Sequence, residues 1–121
     1  MNPGYKYKAI ITDVYDGDTV TCDISLGFGV NLEGTKLRLF GLNTPEIRTK
    51  DPEEKKKGLK ARDELREKIL FKEVILETKK DKRGKFGRIL AIIHVKQTPE
   101  SEYININDWL IDQDLAVVAK Y

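Results

Sequence analysis

Arg38, Asn43, Thr44 and Glu46 fall within nine residues of one another, in Leu37-Arg38-Leu39-Phe40-Gly41-Leu42-Asn43-Thr44-Pro45-Glu46-Ile47-Arg48. Leu37 and Leu39 alternate with Arg38, so the first part reads as a strand with one buried face. Pro45 fixes its own φ and drives Thr44 towards an extended backbone, which holds Asn43, Thr44 and Glu46 in a stiff turn at the strand's end. An arginine, an oxygen-rich turn and a carboxylate are the parts needed to hold a phosphodiester near a metal ion. The plainer account of the same residues is a tight strand-to-loop connection with an exposed arginine and glutamate.

A second oxygen-rich corner stands at Asp16-Gly17-Asp18-Thr19. Asp16-Gly17 is by itself a strong hairpin signal, because both positions tolerate positive φ. Beside the Asn43 turn it gains another meaning. Calcium takes six to eight oxygens from carboxylates, amide or backbone carbonyls and waters, and Asp18, the Asn43 side chain and the Thr44 carbonyl suit it. Arg88, in Phe86-Gly87-Arg88-Ile89-Leu90-Ala91, enters a strand from a glycine-loosened loop, a setting suited to presenting a guanidinium.

The elements that must carry these groups follow from periodicity. Tyr5 to Val14 is rich in aromatic and β-branched residues and predicts a first strand. Asp18 to Leu26 predicts its hairpin partner, with Val20, Cys22, Ile24 and Leu26 facing the core and Cys22 an inert buried thiol. Gly27–Gly34 reads as a loop and Thr35–Leu42 as a third strand, so a meander begins to form a small barrel. Lys50–Lys57 reads as an exposed loop, and Gly58–Leu70 as a helix with Ala61, Leu65 and Ile69 on one face. Strands are expected at Glu73–Thr78 and Ile89–Val95, separated by a basic loop, with His94 a surface residue rather than a ligand. Asn105 can cap a second helix, with Asp108 in its first turn and Trp109, Leu110, Leu115 and Val118 as its apolar contacts.

With 121 residues and 40% hydrophobic content, one domain spanning 1–121 is expected, able to bury a real core. The single cysteine rules out an internal disulfide, and one histidine argues against a zinc site. No apolar run approaches a membrane span, so no membrane partner is expected. Met1-Asn2-Pro3-Gly4 shows no charged-then-apolar signal pattern, which leaves open a cytoplasmic protein or one secreted after loss of a leader. Net charge is only +2, but residues 48–88 hold 16 Lys/Arg against 9 Asp/Glu. The remaining segments are mildly acidic. Such a basic middle suits a polyanion, although a solvated lysine-rich helix has the same composition.

Taken together, Val14 to Val20, Arg38 to Glu46 and Phe86 to Ala91 resemble the staphylococcal nuclease family, in order and approximate spacing. A weaker match runs from Asn107-Asp108-Trp109-Leu110 through Gln113-Asp114-Leu115-Ala116. The resemblance implies an α+β, mainly β fold: a five-stranded Greek-key barrel of the OB type with two packed helices. It also implies a calcium-dependent phosphodiesterase that cuts DNA and RNA to 3′-phosphate and 5′-hydroxyl products, acting as a monomer with single strands or frayed duplex favoured. By resemblance Asp18, Asn43 and Thr44 are the metal ligands, Thr44 through its carbonyl. Glu46 orients or deprotonates the attacking water, Arg38 and Arg88 bind phosphate, and Lys85 and Phe86 stand beside the nucleotide.

Three departures qualify the match. Asn43 stands where the family usually has aspartate, which removes one negative charge from the ligand set. Asp114 replaces a glycine after the second helix, at a position that commonly wants positive φ. The sequence ends at Tyr121, before the family's third helix, and Lys120 aligns with a pocket tyrosine. The competing expectation is a catalytically weak or inactive OB-type module that binds nucleic acid without cutting it.

Overall fold

A computed structural model of the chain describes residues 5–79 and 89–119. Its first strand, β1 (Tyr5–Asp16), pairs antiparallel with β2 (Thr19–Ser25), and β2 pairs with β3 (Asn31–Leu39). β1 also pairs on its other side with β5 (Glu73–Lys79), which pairs with β6 (Ile89–Val95). Leu37, Arg38 and Leu39 of β3 then meet Ile89, Leu90 and Ala91 of β6 in parallel, and the ring of five strands closes. This is the OB-type barrel with two helices that the sequence predicts. Closure removes the open edge that a five-stranded sheet would otherwise expose.

Alternation explains the interior. Ala9, Ile11 and Val14 of β1, Val20, Cys22 and Ile24 of β2, Leu37 and Leu39 of β3, and Val74 and Leu76 of β5 are all buried. Register shifts between Ile11 and Asp13 and between Val14 and Asp16 insert extra residues in β1, and such bulges bend a strand and sharpen its twist. A further shift lies between Cys22 and Ile24, opposite Gly34, whose φ of 63° suits a bulged glycine. The second strand ends sooner than its alternation predicts. Leu26 is 43% exposed because its N–H bonds the carbonyl of Val30, which turns the chain. β3 accordingly begins at Asn31, inside the expected loop, and stops at Leu39. Gly41 (φ 83°) then bends the chain, and a separate short strand, β4 (Leu42–Asn43), follows.

The first helix, α1 (Pro52–Ile69), begins six residues before the predicted Gly58. The cause is local. Asp51 accepts a bond from the Glu53 N–H, Pro52 supplies a preset φ at the first helical position, and Glu53 and Glu54 face the helix dipole. Composition alone made Lys50–Lys57 resemble a loop. Gly58, Ala61, Leu65 and Ile69 form the buried stripe, and Arg66 Nε donates to the Val14 carbonyl at 3.1 Å, tying α1 to β1.

After β6, β7 (Ile104–Asn105) leads into α2 (Ile106–Asp112), capped by Asn105, which accepts from the Asp108 N–H at 3.1 Å as expected. Asp114 takes up the positive φ (59°) that its position demands. The chain then enters β8 (Val117–Val118), paired with β4 so that Asn43 lies opposite Val117. Leu110 and Leu115 are buried as predicted, but Val118 is 68% exposed, because it belongs to this surface ladder rather than to the helix's inner face. His94 is half-buried and bonds Glu77 at 3.2 Å. Among the described residues, no helix is long and apolar enough to cross a membrane.

Candidate metal and phosphate site

Three separate segments supply the site: the β1–β2 turn, the end of β3, and the turn after β4. Asp16 pairs with Thr19, so the two turn residues are Gly17 and Asp18, one position later than predicted. Neither Asp16 nor Gly17 has positive φ. The glycine is needed there for space, since the turn presses against Thr44 and Ala61.

Asp18 is only 5% exposed, and burying its polar side chain is costly unless its oxygens find partners. Its Oδ1 accepts from Thr19 Oγ1 at 3.2 Å and lies 3.3 Å from Arg38 Nη1. Its Oδ2 accepts from the Thr44 N–H at 3.2 Å, a bond spanning 26 residues of sequence. Arg38 Nη2 in turn donates to Asn43 Oδ1. The structure thus gathers Asp18, Arg38, Asn43 and Thr44 into one hydrogen-bonded group. The Arg38 backbone is held on both sides, opposite Thr19 on β2 and Leu90 on β6.

Asp16 also faces this corner. Its Oδ1 accepts from the Asp18 N–H at 3.0 Å. Burial, and then the neighbouring Asp18 carboxylate, push its pKa up from 3.8 to about 6. The Asp16 and Asp18 carboxylates and the Asn43 amide oxygen are hard donors of the kind calcium accepts with water, and in this structure Arg38 engages both Asp18 Oδ1 and Asn43 Oδ1. The chemistry of the set therefore fits the ion. Among the described residues there is no cluster of three or more His, Cys, Asp or Glu side chains that could hold a metal ion, so the fit depends on the Asn43 amide oxygen joining the two aspartates.

Glu46 stands apart from this group. Its side chain is exposed on the turn, while its backbone carbonyl packs against Gly58 of α1. Arg88, Lys85 and Phe86 lie outside the described residues, as do Lys80, Lys82 and Arg83 of the basic loop. A groove of about 500 Å³ opens beside the site between Asn43–Pro45, the first turns of α1 and Asp114–Val117; it reaches neither Asp18 nor Arg38.

Sequence reasoning passed over Asn107 as a structural residue. It is buried, its Oδ1 accepts from the Ile93 N–H at 3.1 Å, and its Nδ2 donates to the carbonyls of Phe40 (2.9 Å) and Ala91 (3.1 Å). It thereby fastens α2 across the β3–β6 closure. A polar residue amid Ile104, Ile106, Trp109 and Leu110 was the available signal.

A family model described as staphylococcal nuclease homologue matches residues 36–121. The match takes in Arg38 and the Asn43–Glu46 turn and begins after Asp18. No curated protein matches the chain.

Proposed function

The chain belongs to the staphylococcal nuclease family, a family of nucleases and nucleic-acid-binding proteins, and from that premise we propose that it is a calcium-dependent phosphodiesterase acting on DNA and RNA. The observation that carries the proposal is the convergence of Asp18, Arg38, Asn43 and Thr44 from three segments onto one small corner.

In this reading Asp18, the Asn43 amide oxygen and the Thr44 carbonyl hold calcium. The bound ion would supply positive charge beside the phosphoryl oxygens as negative charge builds there. Arg38 offers a planar, permanently charged fork to the same phosphate, and Arg88 is proposed as its second clamp. Ile89, the residue after Arg88, pairs with Leu37, which puts the two arginines' neighbouring residues on adjoining strands. Glu46 accepts the proton of the attacking water, whose oxygen bonds to phosphorus while the bond from phosphorus to the 5′ oxygen breaks; that oxygen leaves with the electron pair and takes a proton from solvent. The products are a 3′-phosphate and a 5′-hydroxyl. Lys85 and Phe86 are proposed to flank the bound nucleotide. The basic stretch including Lys55, Lys56, Lys57 and Lys60 gathers the polyanion, with affinity that falls as salt rises. Single strands and frayed duplex leave more backbone accessible and are the favoured substrates.

The deciding assay follows plasmid DNA and RNA over a calcium series and after chelation, with end-group analysis of the products. Metal-dependent cleavage is expected, and Glu46→Ala should lose most of it while remaining folded. Full activity in that variant refutes the role given to Glu46. A second reading, a binding module without catalysis, is favoured by Asn43, which leaves the ligand set one charge short of the family's usual aspartate. Salt-sensitive binding of single strands with no cleavage at millimolar calcium would establish it.

A further inference from the structure

We propose that Gly17 and Gly58 are positioning residues, whose missing side chains let the two turns of the site seat against one face of α1 at the spacing the site requires. The chemistry assigned to that spacing rests on the nuclease reading above; the steric relationship does not.

Gly17 lacks the positive φ that ordinarily explains a glycine in a hairpin. A Cβ built there would lie 2.7 Å from Thr44 Cγ2 and 2.9 Å from Ala61 Cβ. Carbon atoms in van der Waals contact stand about 3.5–4.0 Å apart, so one of the three chains would have to move. Gly58 is buried within α1, where glycine costs roughly 1 kcal/mol relative to alanine. A Cβ at that position would lie 2.7 Å from the Pro45 carbonyl oxygen and 2.9 Å from that of Glu46. Those are backbone atoms and cannot swing aside. Gly58 and Ala61 are three residues apart and so occupy one face of the helix.

α1 therefore acts as a straight edge. Its small-residue face receives the Gly17-Asp18 turn near Ala61 and the Pro45-Glu46 turn near Gly58. The bond from the Thr44 N–H to Asp18 Oδ2, 3.2 Å long, reports that the two turns are in register. A shift of half an ångström at Gly17 would break it. The two glycines act on different groups: Gly17 governs Asp18 against Thr44, and Gly58 governs the backbone that presents Glu46.

The test uses the full chain with Gly17→Ala, Gly58→Ala and the pair Gly17→Ala/Thr44→Ser, which removes the Cγ2 nearest the added methyl but keeps the Thr44 N–H and carbonyl. Three quantities are read: Thr44 amide hydrogen exchange, calcium affinity by titration calorimetry, and cleavage kinetics. Gly17→Ala should speed Thr44 exchange and weaken calcium binding by about tenfold each, and Thr44→Ser should restore part of both losses, since the approach to Ala61 Cβ remains. Gly58→Ala should lower kcat by about tenfold with calcium affinity nearly unchanged, because it displaces Glu46 rather than the ligands. Unchanged Thr44 exchange in Gly17→Ala overturns the proposal, as does a pair that recovers nothing. If Gly17→Ala does not fold, Gly17→Ala/Thr44→Ser/Ala61→Gly, which removes both contacts shorter than 3.0 Å, decides: folding supports the steric account, and failure to fold overturns it. A wild-type chain that neither binds calcium nor cleaves would sink the nuclease reading alone, since Thr44 exchange still tests the seat.

Discussion

Arg38 is the counter-ion of Asp18 in this structure, with Nη1 3.3 Å from Oδ1, and the same guanidinium donates to Asn43. The phosphate-binding group proposed for the reaction is thus held by two of the proposed metal ligands. Opposite effects on binding and catalysis follow from that arrangement. Arg38→Ala should reduce phosphodiester cleavage by roughly 10²–10³, as for a lost oxyanion donor. It should also tighten calcium binding by about tenfold, because the cation no longer competes with a fixed positive charge. Calorimetry on the variant, run beside the cleavage assay, checks both halves.

Asn43→Asp adds a carboxylate to the corner that already holds Asp16 and Asp18. Calcium should bind about tenfold more tightly, and the calcium concentration for half-maximal cleavage should fall in proportion. A calcium titration of the variant by calorimetry, with and without substrate analogue, measures this.

Asp16 carries a pH signature. Its folded pKa of about 6 exceeds its ordinary 3.8, chiefly through burial and then through Asp18, so folding favours the protonated form. The stability it confers is complete below about pH 4 and is lost as pH rises through 6. Asp16→Asn in chelator should therefore melt higher than wild type at pH 7, by about 1 kcal/mol or on the order of 5 °C, and show no such gain at pH 3.5. Thermal denaturation at the two pH values gives the comparison. Calcium should narrow the difference at pH 7, since the ion neutralises the same corner.

Asn107→Ala would remove the acceptor of the Ile93 N–H and the Nδ2 donor shared by the Phe40 and Ala91 carbonyls, of which Ala91 still accepts from the Phe40 N–H. A loss of about 3 kcal/mol is expected, read as a lower urea midpoint. Asn107→Asp should recover little, because a carboxylate cannot donate to the two carbonyls.

Cys22 is fully buried, and burial, with a smaller effect of Asp23, pushes its thiol up to about 12. A thiol reagent at pH 8 should leave the folded protein unmodified and label it fully in urea.

Much of this was readable from residue order. The alternation of Val20, Cys22 and Ile24, the β-branched run Ile89–Val95 and the Asn105 cap each specified local structure that tertiary packing left intact. Arg38, Asn43 and Thr44 could be named because Pro45 stiffens their turn, and Asp18 because it sits in a recognisable hairpin. The start of α1 was missed because the lysines and glutamates of residues 53–57 say nothing about burial, while the real signal, Asp51 followed by Pro52, lies in the cap. The function of Gly17 was invisible for a different reason. Its neighbours Thr44 and Ala61 are remote in sequence, and only the folded chain brings a methyl group to where its Cβ would be. The same holds for Asn107, whose three partners come from β6 and from Phe40, just after β3.

The parallel ladder from Leu37–Leu39 to Ile89–Ala91 joins stretches some fifty residues apart, and it consists of three residue pairs. Loop-closure entropy disfavours so distant a junction until the intervening hairpins exist, so it is expected to form after them. Arg38 lies on the strand that this junction completes. During synthesis, a ribosome-bound chain that has released Asp18 and Asn43 but not yet Ala91 can pair Arg38 with β2 but not with β6. The second backbone anchor of Arg38 and the closure of the barrel therefore arrive together, once Ala91 has emerged.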